Sequence, residues 1–224
     1  MALTDKLTAI ADAIRTKTGG TDTLTLDGMV TEIEGIETGG DTSIEDSLIT
    51  RTITEYSNDR VKTVGGYAFY SCFSLTSVNF SKATSIGNYA FYSCFNLTSV
   101  NFPAATSISF YAFYNCANLT SVNFPAATYI GSSAFYKCSS LTSVNFPAAT
   151  YIGNHAFYYC SNLTNLFLTG SSVCTLYSTT ALKSTPIASG TGYIYVPSSL
   201  VTTYQAATNW TYYSAQISAH EDMA

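Results

Sequence analysis

The side chains able to do chemistry in this chain are few and evenly spaced. Cysteines stand at Cys72, Cys94, Cys116, Cys138 and Cys160, each 22 residues after the one before, and a sixth is Cys174. Five cysteines at one register make a line, whereas zinc needs a tetrahedron built from tight pairs about two to four residues apart. On stacked repeats their side chains would point the same way, a poor match to the disulfide dihedral. They read as buried thiols acting as small hydrophobes, with Cys174 packed in a C-terminal cap. Carboxylates are absent from Arg60 to His220. That stretch therefore offers no acid pair for glycoside hydrolysis and no carboxylate-rich calcium or magnesium site. A Ser/His/Asp triad would need an acid from elsewhere. His155 takes a position filled by Tyr89, Tyr111 and Ser133 in other repeats, so it reads as a variable surface residue. His220 falls in a tail expected to fray. The expectation is a non-enzymatic protein with no metal and no cofactor.

The elements that would hold these residues follow from the same period. Ala-Phe-Tyr begins at Ala68, Ala90, Ala112, Ala134 and Ala156, and Leu-Thr at Leu75, Leu97, Leu119, Leu141 and Leu163. A fixed period of about 20 to 30 residues marks a solenoid, in which each repeat buries its apolar face only against its neighbours. Leu97, Val100 and Phe102 alternate as in a short strand, and Pro103 ends it because proline cannot donate to a ladder. Thr106 to Ile108 returns the chain, and Ala112, Phe113 and Cys116 supply a second inward corner in a turn or short helical segment. Parallel strands about 4.8 Å apart would stack the repeats. The predicted fold class is an α+β solenoid of about five 22-residue coils with a parallel sheet, an N-terminal helical hairpin and a C-terminal strand/helix cap.

Charge divides the chain. Residues 1–59 hold twelve acids against Lys6, Arg15, Lys17 and Arg51, whereas the stretch from Arg60 to His220 has five scattered cations. Such asymmetry suggests two modules with different tasks. Five dispersed cations are no nucleic-acid patch. No run approaches the roughly 20 apolar residues of a membrane span, and the start lacks the pattern of a signal peptide.

The expected divisions are 1–40, a helical attachment or oligomerisation module; 41–64, a linker and cap; 65–170, the solenoid; and 171–224, the C-terminal cap. In the first, Leu3, Leu7, Ile10 and Ile14 form a coiled-coil-like stripe. Its helices could close as a simple hairpin or associate with copies of themselves, a homotrimer included. At the far end, Tyr193 to Val196 reads as a strand, Ser198-Ser199 as the cap of a helix reaching about Ala207, and Trp210 as an anchor.

The motif Ile86-Gly87-Asn88-Tyr89-Ala90-Phe91-Tyr92-Ser93-Cys94-Phe95-Asn96-Leu97, running into Val100, Phe102 and Pro103, resembles the BspA-type (Treponema pallidum-type) leucine-rich repeats. The likeness spans residues 61–170, with a cap to about 218. Ala83, Ala105, Ala127 and Ala149 stand where a classic leucine-rich repeat has asparagine, so that group's asparagine ladder is not implied. Leu3 to Arg15, with Leu26-Asp27-Gly28-Met29, resembles tail-associated structural proteins of phages and prophages. The first resemblance implies adhesion at a cell surface. The second implies attachment to a phage tail and location on a virion.

Function then falls to the surface between the packing anchors. One candidate surface is aromatic: Tyr67, Tyr70, Phe73, Tyr89, Tyr92, Phe95, Phe110, Tyr111, Tyr114, Tyr136, His155, Tyr158 and Tyr159. Variation among Tyr, Ser, Asn and Phe on a fixed frame is the vocabulary of a binding surface. The same tyrosines could instead pack between coils with wet hydroxyls. An alternative surface is the outward side of the strands: Ser77, Asn79, Ser99, Asn101, Ser121, Asn123, Ser143 and Asn145. The expected function is that of a phage tail-associated receptor-binding or structural protein, whose solenoid recognises a bacterial surface glycan or protein. A purely structural virion role and a bacterial adhesin are the other readings.

Overall fold

The alternation in Leu-Thr-Ser-Val-Asn-Phe makes a short strand in every repeat, and the next apolar residue, isoleucine, makes another. The computed structural model describes residues 53–220, all within the unit Arg51–Ala224. The expected N-terminal helices, with Leu3, Leu7, Ile10 and Ile14, lie outside the described residues. In chain order the strands of the coils are β1 (Glu55–Ser57), β2 (Thr63–Val64), β3 (Ser77–Asn79), β4 (Ser85–Ile86), β5 (Ser99–Asn101) and β6 (Ser107–Ile108). They continue as β7 (Ser121–Asn123), β8 (Tyr129–Ile130), β9 (Ser143–Asn145), β10 (Tyr151–Ile152), β11 (Asn165–Phe167) and β12 (Thr175–Leu176). All these strands pair in parallel, and from β1 to β11 paired residues on neighbouring coils are 22 apart.

Each coil has three sides. The first carries the three-residue strands. The second is a continuous six-stranded sheet in the order β12-β10-β8-β6-β4-β2, where sequence reading gave only a return of the chain. The third is a turn held to the next coil by alternate backbone bonds. In the second coil, Tyr89 N–H donates to Phe110 O, Phe91 N–H to Ala112 O and Ser93 N–H to Tyr114 O, at 2.7–3.1 Å. Backbone groups that would be orphaned at the corners of one coil are thus satisfied by its neighbour.

The core is a set of columns along the stack. Phe69, Phe91, Phe113, Phe135 and Phe157 stack face to face with centroids 5.0–5.4 Å apart. The Ile86, Leu97 and Cys94 columns are equally sealed. The Sγ of Cys94, Cys116, Cys138 and Cys160 each donates to a phenylalanine carbonyl 25 residues earlier. Burial pushes the thiols of Cys116, Cys138 and Cys160 far up, which keeps them protonated and inert. Gly153 is set by close approach, since a Cβ there would lie 2.6 Å from the Ser132 nitrogen of the coil before.

The first side is not continuous. Its strands fall into two sheets, β1-β3-β5-β7 and a second that starts at β9. Phe124 and Phe146, which flank the division, are 6.3 Å apart, against 5.2 and 5.5 Å in the preceding steps of that column. Val122 is half-buried, whereas Val78, Val100 and Val144 are sealed. The second sheet and the turn side run past this point unbroken.

The C-terminal cap begins as a sixth, irregular coil. Phe157 N–H donates to Ala181 O and Tyr159 N–H to Lys183 O, so Ala181-Leu182-Lys183 takes the place of Ala-Phe-Tyr at an offset of 25 residues. The strands β13 (Tyr193–Pro197) and β14 (Ile217–His220) then extend the first-side sheet beyond β11. Helix α1 (Val201–Ala206) has no side-chain cap, so Ser198 and Ser199 do not play the expected part. They form a separate 3-10 turn. His220 is not frayed. It ends β14 and meets Phe167 edge-on at 5.5 Å. Trp210 is the anchor expected, buried with its indole N–H donating to Cys174 O. Tyr204 OH accepts from Cys174 N–H at 2.9 Å. Burial pushes both the Cys174 thiol and the Tyr204 phenol up to about 12.

Candidate functional site

The turn side places the aromatic residues. Two positions in each turn have left-handed backbone with φ between 53° and 61°: Tyr67, Tyr89, Tyr111, Ser133 and His155 in one column, and Ser71, Ser93, Asn115, Lys137 and Tyr159 in the other. An L side chain in this region costs about 1 kcal/mol, and glycine would avoid that cost. None of the ten is glycine. Two of the sequence positions that vary from repeat to repeat are therefore strained.

Their side chains form ladders. Tyr67, Tyr89 and Tyr111 stack with centroids 4.9 Å apart. Beside them, Tyr70, Tyr92, Tyr114, Tyr136 and Tyr158 stack at 4.6–5.3 Å. The two ladders touch through tilted pairs, such as Tyr89 with Tyr92 at 5.7 Å. Phe73 and Phe95 make a shorter stack at 5.4 Å. Phe110 meets Tyr129 edge-on at 6.5 Å, away from both ladders. Most of the two ladders' phenols are half-exposed, and Tyr67 is open to solvent. Partial burial, then the neighbouring phenols, raise the phenols of Tyr89, Tyr92 and Tyr114.

The ladder changes character at its C-terminal end. Ser133 interrupts the first column, and His155 follows it with its ring 5.0 Å from Tyr158, edge-on. Tyr159 turns nearly perpendicular to the stack, 4.4 Å from Tyr158 and 5.9 Å from Tyr136. Lys137 Nζ lies 5.9 Å from the Tyr136 ring and 6.0 Å from that of Tyr159. Lys183 Nζ lies 5.9 Å from the Tyr158 ring and takes the next rung of that ladder. Lys183 escaped sequence reading because the sixth coil is three residues longer than the rest. The signal was present in Ala181-Leu182-Lys183-Ser184, which matches Ala156-Phe157-Tyr158-Tyr159 in pattern.

The strand side carries the alternative surface. Ser57, Ser77, Asn79, Ser99, Asn101, Ser121 and Asn123, with Glu55, line a shallow concavity of about 620 Å³. Its amides satisfy one another: Asn101 Nδ2 donates to Asn79 Oδ1 at 2.7 Å, and Asn123 Nδ2 to Asn101 Oδ1 at 2.6 Å. Ser143 and Asn145 lie across the division in the sheet and do not line it. Among the described residues no group of three or more His, Cys, Asp or Glu could hold a metal ion. Also among them, no helix is long and apolar enough to cross a membrane.

The BspA type leucine rich repeat region matches this sequence in six copies over residues 84–206, more than half of the chain. The chain belongs to that family. A leucine-rich repeat protein from Bacteroides ovatus has a similar fold at 22% identity and a TM-score of 0.60, covering 75% of this chain and 43% of that one. The T. pallidum leucine rich repeat protein is 29% identical with a TM-score of 0.50, over 53% of this chain and 59% of that one. A leucine-rich repeat protein from Eubacterium ventriosum is 24% identical with a TM-score of 0.50, over 60% and 43%. The chain thus spans less than two thirds of each of these proteins. No curated protein matches it. The six copies of this BspA type region agree with a repeat register that continues into the cap.

Proposed function

We propose that this BspA type repeat protein is a non-enzymatic binding protein whose turn side recognises a cell-surface glycan or protein. The observation that carries this reading is the set of ten left-handed positions, all of which keep a side chain where glycine would be cheaper. Packing accounts for part of this, since stacked tyrosines are worth about 0.5–1.5 kcal/mol per pair. It does not account for Ser71, Asn115 or Lys137, which join no aromatic ladder of their own. A repeated display of tyrosine with interspersed serine, asparagine and histidine suits recognition by rigid anchors and adaptable polar contacts.

The family favours an adhesin at a bacterial cell surface. Attachment to a virion, with residues 1–40 joining a phage tail and possible trimerisation through Leu3, Leu7, Ile10 and Ile14, is the second reading. It is favoured by the N-terminal sequence resemblance and by the concentration of acids in residues 1–59, twelve of the fourteen.

Labelled protein incubated with whole bacterial and epithelial cells tests the binding role. Retention is expected, and a Tyr89→Ala, Tyr111→Ala variant should lose most of it. Undiminished retention by that variant would remove the turn side from consideration, and no retention on any cell favours a purely structural role. Light scattering of the chain with and without residues 1–40 tests assembly: a monomer in both cases ends the trimer idea. Neighbouring tail genes would favour the virion, and a sortase or secretion context the adhesin.

A further inference from the structure

The C-terminal end of the tyrosine ladder has a different chemistry from the rest. Stacked rings offer solvent their edges and hydroxyls, because their faces cover one another. Lys137 and Lys183 bring two ammonium groups to within about 6 Å of the same trio of rings, Tyr136, Tyr158 and Tyr159. Lys137 does so from a left-handed residue, φ 59°, and Lys183 from the rung where a tyrosine would continue the stack. No carboxylate occurs in the sequence between Arg60 and His220. The described carboxylates, Glu55 and Asp59, stand on the first coil. Among the described residues, the two cations therefore have no acid on their own or adjoining coils. Lys137 and the Lys183 rung are two coils apart, on the order of 10 Å along the stack.

We infer that this corner binds an anionic polysaccharide, its charged groups held by Lys137 and Lys183 and its hydroxyls by the phenol row that leads to them. The inference rests on the turn side being a binding surface and adds the class of ligand. Hydroxyl-rich chains meet the phenol edges. A carboxylate or phosphate on the same chain meets ammonium groups that no acid among the described residues neutralises. Tyr159, with its plane lying along the ladder axis, gives a sugar ring a surface for contact at the same point.

Binding of the full chain to four polymers tests it: polygalacturonate (carboxylate), phosphomannan (phosphate), dextran (neutral sugar) and inorganic polyphosphate (charge without sugar). At least one acidic polysaccharide should bind, and which one identifies the anion. Lys137→Gln with Lys183→Gln should weaken that binding by about tenfold or more, leave the melting temperature unchanged and flatten its salt dependence. Dextran binding as tightly as the acidic polymers would overturn the inference and leave the proposed function standing. So would an unaffected double variant, equal binding to polyphosphate, or failure of all four polymers while whole-cell retention persists. Loss of whole-cell retention as well would remove the proposed function too.

Discussion

The strand side and the turn side of this solenoid are both ladders of 22-residue period, yet they solve opposite problems. On the strand side, Asn79, Asn101 and Asn123 repeat without change, sit in extended backbone and spend their amides on one another. On the turn side the residue changes from coil to coil, and the backbone under it is left-handed. Repetition with mutual satisfaction is what stacking requires. Variation at a conformation that disfavours side chains is not, and it marks the positions with another task.

The largest effect should come from the frame that both sides share. Phe113 is fully buried between Phe91 and Phe135. Phe113→Ala should cost about 3–5 kcal/mol in denaturant unfolding. A loss as small as that of a surface change would mean that the column is not the common support.

Alkaline pH should separate the sides next. An acid group whose pKa is higher when folded stabilises the fold below its unfolded pKa, and that contribution is lost as pH rises through the folded value. Tyr204, raised from 10.0 to about 12 by burial, should cost on the order of 2 kcal/mol between those pH values. The turn-side phenols of Tyr89, Tyr92 and Tyr114 are raised in the same direction. Phenolate absorbance followed with unfolding should show both. Asn101→Ala should leave this alkaline midpoint in place, because the amide ladder carries no titrating group.

A smaller effect tests the contrast directly. At Tyr89, glycine should give a more stable protein than alanine by about 0.5–1 kcal/mol, because it relieves the left-handed residue. At Asn101 the order should reverse by a similar amount, because glycine weakens a strand. Both Tyr89 variants should lose cell retention alike. The same order at the two sites would erase the distinction drawn here. Smallest of all, Ser133→Gly should raise stability by about 0.5 kcal/mol, since Ser133 is buried at φ 57°.

Much of this frame was legible in the residues. The spacing of Leu97, Val100 and Phe102 gave the strand, and the invariance of Ala-Phe and Cys gave the inward corner. Other features could not be read in this way. The left-handed turn is hidden because its signal, glycine, is missing at all ten positions. The second sheet is hidden because two-residue strands carry no alternation to detect. The division after β7 is hidden because Ser121-Val122-Asn123 is identical to the strands on either side. His220 was misread because its partner strand, Tyr193–Pro197, is distant in sequence and pairs in parallel. The candidate aromatic residues were nearly all named from the period alone, whereas Lys183 required the longer sixth coil to be aligned first.

The division between β7 and β9 has a consequence for cooperativity. A repeat array behaves as a one-dimensional chain of coupled units, whose stability is the sum of each unit and its junctions. Here one junction lacks the pairing of one of its three sides. From β1 to β11 it is the one junction of the described array without first-side strand pairing, so thermal opening is expected to stall there. The first four coils and the last two with their cap then behave as two blocks sharing a soft boundary, and the Tyr70-to-Tyr158 ladder, unbroken across that boundary, is the surface on which their relative motion would be felt.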